Sequence, residues 1–474
     1  MDLFRTKAID TSGRSALKRD LTAFDLTMLG VGAIIGAGIF VLTGRSAATE
    51  AGPAIMLSFV IAGIACTCAA LAYAEMAAAI GGAGSAYSYG YAGFGELPGW
   101  IIGWMLLAEY ALSVSTVAVG WSGYFNDGLT ALGKVFGGDW GFPPSLLHGP
   151  FEATGGIINL PASALLVALG VLLASGAKTS ARFNAVMVII KLSAIILFIV
   201  VAIGHFDSAN WHPFIPPREI GADGHAHFGI PGVLSGAALV FFAYIGFDAV
   251  STSAEETRNP QRDLPIGIVG SLLICTVLYI IVSGLLTGIV PYRELNTPAP
   301  VSHALLMLNQ NKVAGLISIG AIAGLTTVCL VMYYALTRLL FAISRDGLLP
   351  QGISTVSSNG SPQRIIVLVG IAMVALAGFL PLNRLAELTN ISTLAAFVVV
   401  CGGVVSLRNK QPNLVRPFVM PWSPILPVFG MAASVLLMVS LPLTTWIAFA
   451  IWMALGCVVY FTYSYSHSAL SAAR

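Results

Sequence analysis

Apolar residues in this chain come in long uninterrupted blocks, not in the alternating or half-polar stripes of a soluble fold. Runs such as 53-PAIMLSFVIAGIACTCAALAYA-74 and 267-GIVGSLLICTVLYIIVSGLLTGIV-290 carry no charge at all. A hydrocarbon core about 30 Å thick takes roughly 20 residues of helix to cross. With no water there to bond the main chain, such blocks must close their hydrogen bonds locally and become helices. The pattern predicts about a dozen spans, near residues 22–44, 53–80, 97–126, 161–177, 184–204, 230–255, 267–290, 312–343, 365–380, 387–407, 424–440 and 444–463. No cleavable leader is expected before the first span, because the preceding tail is charged and that span is the first hydrophobic element.

Composition agrees. Only 9% of the 474 residues are charged and 57% are hydrophobic, whereas soluble domains carry roughly 25% charged residues. Basic residues divide unevenly between alternate connections. About fifteen fall on the side of the N-terminal tail (Arg5, Lys7, Arg14, Lys18 and Arg19 among them) and about six on the other, which predicts that both termini are cytoplasmic. The net charge of +2 is therefore topological and does not point to nucleic acid. The six cysteines all lie in apolar spans without the paired spacing of a metal site and read as small hydrophobes. The histidines fall in connections or the tail, His225-Ala226-His227 being the nearest approach to a ligand pair. No Ser-His-Asp set or pair of carboxylates is expected at one membrane depth, so no enzyme is expected. A channel would need rings of like residues, and a receptor a sizeable soluble output domain. Neither is suggested.

The first span, 26-LTMLGVGAIIGAGIFVLTG-44, is crowded with glycine. Gly32 and Gly36 form a G-x-x-x-G pair that would let a neighbouring helix come close. The other reading is an interruption over residues 34–38, since glycine costs about 1 kcal/mol in a helix relative to alanine. A break frees amides that can hold a carboxylate and carbonyls that can hold an ammonium, and an amino acid carries both charges on one carbon. A second candidate break lies five spans later, in 241-FFAYIGFDAVSTSAEETRNP-260, where Gly246 and Asp248 interrupt an apolar helix. Breaks in the first and sixth spans predict two five-helix halves of opposite topology, the plan of many secondary transporters, with the site at the interface of the repeats. The halves share topology, not sequence identity.

The stretches Gly30 to Phe40 (GVGAIIGAGIF), Tyr73-Ala74-Glu75, Gly84 to Tyr87 (GSAY), Phe241 to Asp248 (FFAYIGFD), Glu255 to Pro260 (EETRNP) and Ser344 to Pro350 (SRDGLLP) resemble the amino acid–polyamine–organocation (APC) superfamily. Within it they resemble most the cationic amino acid transporter branch, including its bacterial proton-coupled members. The likeness runs from Phe24 to about Pro417. It implies an all-α integral membrane fold of about 12 transmembrane helices: a five-plus-five inverted repeat with discontinuous helices 1 and 6, plus two C-terminal helices. The corresponding organisation is a cytoplasmic tail (1–21), a first repeat (22–204), an external loop (205–229), a second repeat (230–407) and helices 11–12 with a cytoplasmic tail (408–474). The resemblance assigns the substrate carboxylate, and part of its amine, to Ile34, Ile35, Gly36, Ala37 and Gly38. It assigns the rest of the amine to carbonyls around Phe242, Ala243, Tyr244 and Ile245, with Phe242 as an aromatic gate. Ala37 stands where some relatives carry threonine, so that hydroxyl contact is absent. Gly81 stands where a proline is common.

Charges inside the spans are the candidates for coupling. Lys191 lies about seven residues into its helix, roughly 10 Å deep at 1.5 Å per residue. It either snorkels to the cytoplasmic headgroups or acts as the proton-coupling residue, the role the resemblance implies. Glu109 shares a helical face with Ser113, Thr116 and Gly120 that should point inward, as a structural group or in contact with cargo. Asp248 is either a coupling or gating group or a cap on the inner half of span six. Glu75 and Glu255-Glu256 lie near cytoplasmic ends, where ion pairing and solvation compete. On span eight, Thr326, Tyr333 and Thr337 share a stripe beside Met332, which by resemblance faces the substrate side chain and shortens the pocket, favouring small neutral cargo.

The expected function is import of L-amino acids across the plasma membrane by proton symport with alternating access. Amino acid exchange, or transport of cationic amino acids (arginine, lysine, ornithine) or amines, is the alternative. No cofactor is expected beyond a proton as coupling ion, and no metal. The expected partners are the amino acid and the lipid bilayer, a monomer sufficing, in a bacterial inner membrane.

Overall fold

The computed structural model describes Arg5 and residues 21–474, leaving out 81–84, 139, 153–154, 176–180, 221–225, 249, 252–256, 356–360 and 473–474. Glu255, Glu256, Gly81 and His225 thus lie outside the described residues. Among those described, seven helical stretches are long and apolar enough to cross a membrane, and five further apolar helices are shorter.

The main helices are α1 (Ala23–Ile34), α2 (Ile55–Ile80), α3 (Glu96–Phe136), α4 (Leu160–Ala174), α5 (Ala181–Ile203), α6 (Gly229–Val240), α7 (Pro260–Ile289), α8 (Asn311–Arg345), α9 (Gln363–Phe379), α10 (Leu382–Lys410), α11 (Ile425–Val439) and α12 (Leu443–Val459). The expected ends shift where polar residues extend a helix beyond the bilayer. α7 begins at Pro260, because proline at the first helical position costs no hydrogen bond. α3 runs on to Phe136 and stops where Gly137 turns left-handed, at φ 80°. The all-helical expectation needs one addition, a two-residue antiparallel ladder pairing Glu219–Ile220 with Ala226–His227 in a connection. There His227 Nδ1 lies 2.9 Å from the Thr49 carbonyl, so this histidine is bonded and half-buried.

The order of burial follows the chemistry of the helices. In α3, which carries Glu109, Ser113 and Thr116, 83% of the best apolar window is buried; for the span containing α12 the figure is 17%. α3 packs along α8 and α10, while α2 and α1 lie against α7. α12 is fastened to α3 by stacked indoles: Trp104 and Trp452 have centroids 4.5 Å apart, and each donates to the other's carbonyl. Lipid-facing positions are aliphatic, as at Ile189, Ile196, Val200 and Ile203 of α5, each more than half exposed.

One end of the helix bundle is tied by ions. Glu75, buried at the end of α2, accepts from both arms of Arg408 at 2.9 and 2.5 Å and from the Met420 amide at 2.8 Å, with Arg416 at 3.6 Å. Of the two readings left open for Glu75, ion pairing is the one found. Arg5 forks onto Glu96 at 2.8 and 2.7 Å, which holds its guanidinium above its ordinary pKa through that hydrogen bond. Replacing Arg408 by methionine strands part of a buried carboxylate. We expect a loss on the order of 3 kcal/mol, read as a lower thermal midpoint, and Glu75→Gln in the same background should recover part of it.

Candidate functional site

Both predicted breaks exist, and they meet. α1 ends at Ile34; Ile35 is extended (φ −73°, ψ 102°), and helix resumes at Gly38 as a wide π turn through Leu42. α6 ends at Val240, tightens into a 3-10 turn over Phe241–Tyr244 and is extended at Ile245. Gly246 then takes φ 115°, a conformation open to glycine and to few other residues. A Cβ on Gly38 would lie 2.2 Å from Ala243 Cα, and one on Gly246 would lie 3.0 Å from the Ala33 carbonyl. Gly38 and Gly246 are what let the two breaks approach, while Gly36 of the G-x-x-x-G pair packs on Val328 of α8.

The freed backbone groups are unequally used. The Tyr279 hydroxyl of α7 shares its proton between the carbonyls of Ile34 (3.0 Å) and Ala243 (2.8 Å), one from each break. The Gly36 carbonyl accepts from the Phe40 amide at 3.3 Å, and that of Gly38 from the Thr43 hydroxyl at 2.9 Å. Among the described residues the amides of Gly36, Ala37 and Gly38 have no hydrogen-bonded acceptor. Asn390 of α10 satisfies the end of α6, donating to Ala238 at 2.7 Å and Leu239 at 3.1 Å. The break in span one therefore presents donors, at the positive end of the outer half-helix.

Lys191 does not snorkel. It is fully buried although its own helix shows aliphatic residues to lipid. Its ammonium donates to the Gly32 carbonyl and, at 3.0 Å, to that of Ile35. It thus caps the negative end of α1, one turn from the free amides. Its stem packs on Gly324 of α8, where a Cβ would lie 3.2 Å away.

Glu109, Ser113 and Thr116 are buried as expected, and Gly120 on the same face of α3 lies against Ala37 and Val41 of the outer half-helix. Among the described residues, Glu109 Oε2 and Ser113 Oγ find no hydrogen-bond partner. The expectation that no two carboxylates share a depth is overturned. Asp248 accepts from the Tyr110 hydroxyl at 2.6 Å and lies in electrostatic reach of Glu109 and Tyr73. The two acids, 139 positions apart in sequence, come into electrostatic reach where Tyr110, next to Glu109 on α3, donates to Asp248 beyond the second break.

On α8, Gly324 lies against Lys191 and Val328 against Gly36. Val328 lies 3.4 Å from where a Cβ of Gly36 would stand, and Met332, one turn on, is buried. Thr326 instead accepts from the Trp121 indole at 2.9 Å, and Tyr333 donates to Ile366 of α9 at 2.7 Å. Those two hydroxyls serve helix contacts. Phe242, Ala243, Tyr244 and Ile245 are all buried. Tyr244, however, turns away to donate to the Phe59 carbonyl at 2.8 Å.

Tyr279, Val328 and Asn390 escaped sequence reasoning. Only Tyr279 left a trace, as the single aromatic in an aliphatic run. Tyr279→Phe should leave the Ile34 and Ala243 carbonyls short of a donor, a cost of about 1–3 kcal/mol. Uptake should fall about tenfold, the equivalent of 1.4 kcal/mol, in initial-rate assays on reconstituted protein.

A family profile described as amino acid permease matches residues 21–463. The chain is 46% identical over 474 residues to the methylthioribose transporter of Bacillus subtilis (strain 168), with 99% of each chain covered. It is 46% identical over 476 residues to the branched-chain amino acid permease BcaP of the same organism, again with 99% of each covered. To the vacuolar cationic amino acid transporter 4 of Arabidopsis thaliana it is 36% identical, over 87% of this chain and 68% of that one.

Proposed function

This chain belongs to the amino acid permease family of the APC superfamily, and on that premise we propose that it imports neutral L-amino acids by proton symport with alternating access. Transport by a multi-pass membrane protein is the family's activity. The finer reading is supported by one observation above the others: two helix breaks pressed together at a buried point. There, among the described residues, three amides lack acceptors and a buried lysine holds the adjoining carbonyls.

In this reading the carboxylate lies on the amides of Gly36, Ala37 and Gly38, the ammonium meets carbonyls at the second break, and Phe242 gates the side chain. Ile34 and Ile35 take a different part from the one expected of them. Their carbonyls are held by Tyr279 and Lys191 and so orient the site. Met332 limits the pocket's length, and the relatives named branched-chain amino acid permeases favour a neutral aliphatic side chain over arginine or lysine. Ser113, Glu109 and Asp248 line the inner route, with the acids as gating groups. The proton is carried by Lys191. Charged, it grips Gly32 and Ile35; uncharged, it releases the inner half-helix.

The twelve-span, five-plus-five plan with two trailing helices, the domain bounds given above, cytoplasmic termini and a bacterial inner-membrane address complete the proposal. A second reading, transport of a neutral thiosugar, is favoured by the relative named a methylthioribose transporter. Exchange is a third. Purified protein in liposomes, offered labelled amino acids and methylthioribose under separate proton and sodium gradients, separates them. Accumulation of leucine or alanine driven by protons supports the proposal. Accumulation of methylthioribose alone overturns the cargo, and uptake that needs an internal amino acid and no gradient overturns symport.

A further inference from the structure

At the end of the bundle that Glu75 and Arg408 tie together, α2 and α7 part to leave a groove of about 730 Å³. That volume falls within the range of about 300–1,000 Å³ typical of ligand sites. Its floor is apolar, built from Leu71 of α2, Pro265 and Val269 of α7, and Phe418 of the connection between α10 and α11. Ile266, also on its wall, is 45% exposed, so the groove opens sideways on the face that the bilayer covers. Among the described residues its one charge is Arg262, with Gln261 beside it, in the first turn of α7. Neighbouring arginines are engaged. Arg258 lies in electrostatic reach of Asp25, and Arg408 and Arg416 face Glu75. The Arg262 side chain is exposed and, among the described residues, has neither an ion pair nor a hydrogen bond.

From Leu264 to Val290 the chain carries no charge, so Arg262 stands where the hydrocarbon ends. An unpaired cation at the rim and an aliphatic floor running inward from it match a molecule with an anionic head and a hydrocarbon tail. Basic side chains at this depth attract anionic lipid, and a guanidinium fork fits a phosphate with two parallel hydrogen bonds. We propose that the groove is a binding site for an anionic phospholipid, its phosphate on Arg262 and one acyl chain lying between α2 and α7 against Phe418. The site adjoins the machinery. A Cβ on Gly267 of α7 would lie 2.6 Å from Leu26 Cβ, and one on Gly270, in the groove wall, 3.4 Å from Thr27 Oγ1. Both contacts are on the inner half of span one, so a bound chain braces the surface on which that half-helix rests, whatever the cargo.

Purified full-length protein, titrated with lipid and followed by native mass spectrometry, should retain phosphatidylglycerol more tightly than phosphatidylcholine. Arg262→Gln should weaken phosphatidylglycerol retention about fivefold, the effect of one arginine on a charged lipid, and leave phosphatidylcholine unchanged. Lys410→Gln, at an exposed cation outside the groove at the end of α10, should change neither. Phosphatidylglycerol with a diazirine in its acyl chain should insert at Leu71, Val269 or Phe418, and Val269→Trp, which fills the groove, should remove that insertion. Equal losses from Arg262→Gln and Lys410→Gln would reduce the effect to general surface charge and overturn the proposal. So would insertion spread over the exposed face of α5 with none in the groove. A co-purifying polypeptide, or a second copy of the chain, cross-linked at Val269 in place of lipid would overturn it as well.

Discussion

Gly38→Val is expected to abolish uptake while leaving the protein in the membrane. Even the first carbon of the new side chain would stand 2.2 Å from Ala243 Cα and 2.3 Å from its Cβ, whereas ordinary contacts are about 3.5–4.0 Å. The near atom is backbone and cannot swing aside, so the two breaks must part by about 1 Å. Overpacking of this kind costs about 1–3 kcal/mol of stability. A displacement of about 1 Å in a positioned site can cost about a hundredfold in rate, and it strikes the three free amides and the Tyr279 bridge at once. Initial uptake rates should therefore fall at least a hundredfold, with only a modest drop in thermal midpoint. Wild-type uptake from Gly38→Val protein would show that the contact between the breaks is dispensable.

Lys191→Ala should uncouple transport from the proton gradient. The side chain is fully buried and donates to carbonyls three residues apart at the end of α1. Removing it leaves both without that donor, at about 1–3 kcal/mol each, so the inner half-helix is loosened whatever the pH. We expect accumulation under an inward proton gradient to be lost, while exchange of labelled for unlabelled amino acid continues. Counterflow in proteoliposomes with and without the gradient measures both. Undiminished proton-driven accumulation in the variant would remove Lys191 from the coupling mechanism.

The membrane character, the approximate spans and the two breaks were legible in the residues, because each follows from local chemistry. A charge-free run must be helix in lipid, and glycine clusters must weaken it, wherever the rest of the chain lies. Lys191, Glu109 and Asp248 could be singled out for the same reason, as charges where solvation is absent. Their surroundings could not. Whether Lys191 reached for headgroups or for Gly32 depended on which face of α5 met α8, and both faces are apolar in sequence. On α8, Thr326 and Tyr333 are polar yet serve Trp121 and Ile366, while Gly324 and Val328, which lie by Lys191 and the first break, offer no polar signal.

By itself, then, the sequence determined that this protein crosses the bilayer repeatedly and marked Ile34–Gly38 and Phe242–Ile245 as candidate breaks in its first and sixth spans. Those are consequences of solvent and propensity acting along the chain. Only the tertiary structure decided that the breaks touch, that Tyr279 bridges them and that Glu109 lies in electrostatic reach of Asp248. Each of these joins residues dozens to hundreds of positions apart through packing of apolar surfaces. Such packing is set by the shapes of the side chains and not by the hydropathy of any one segment.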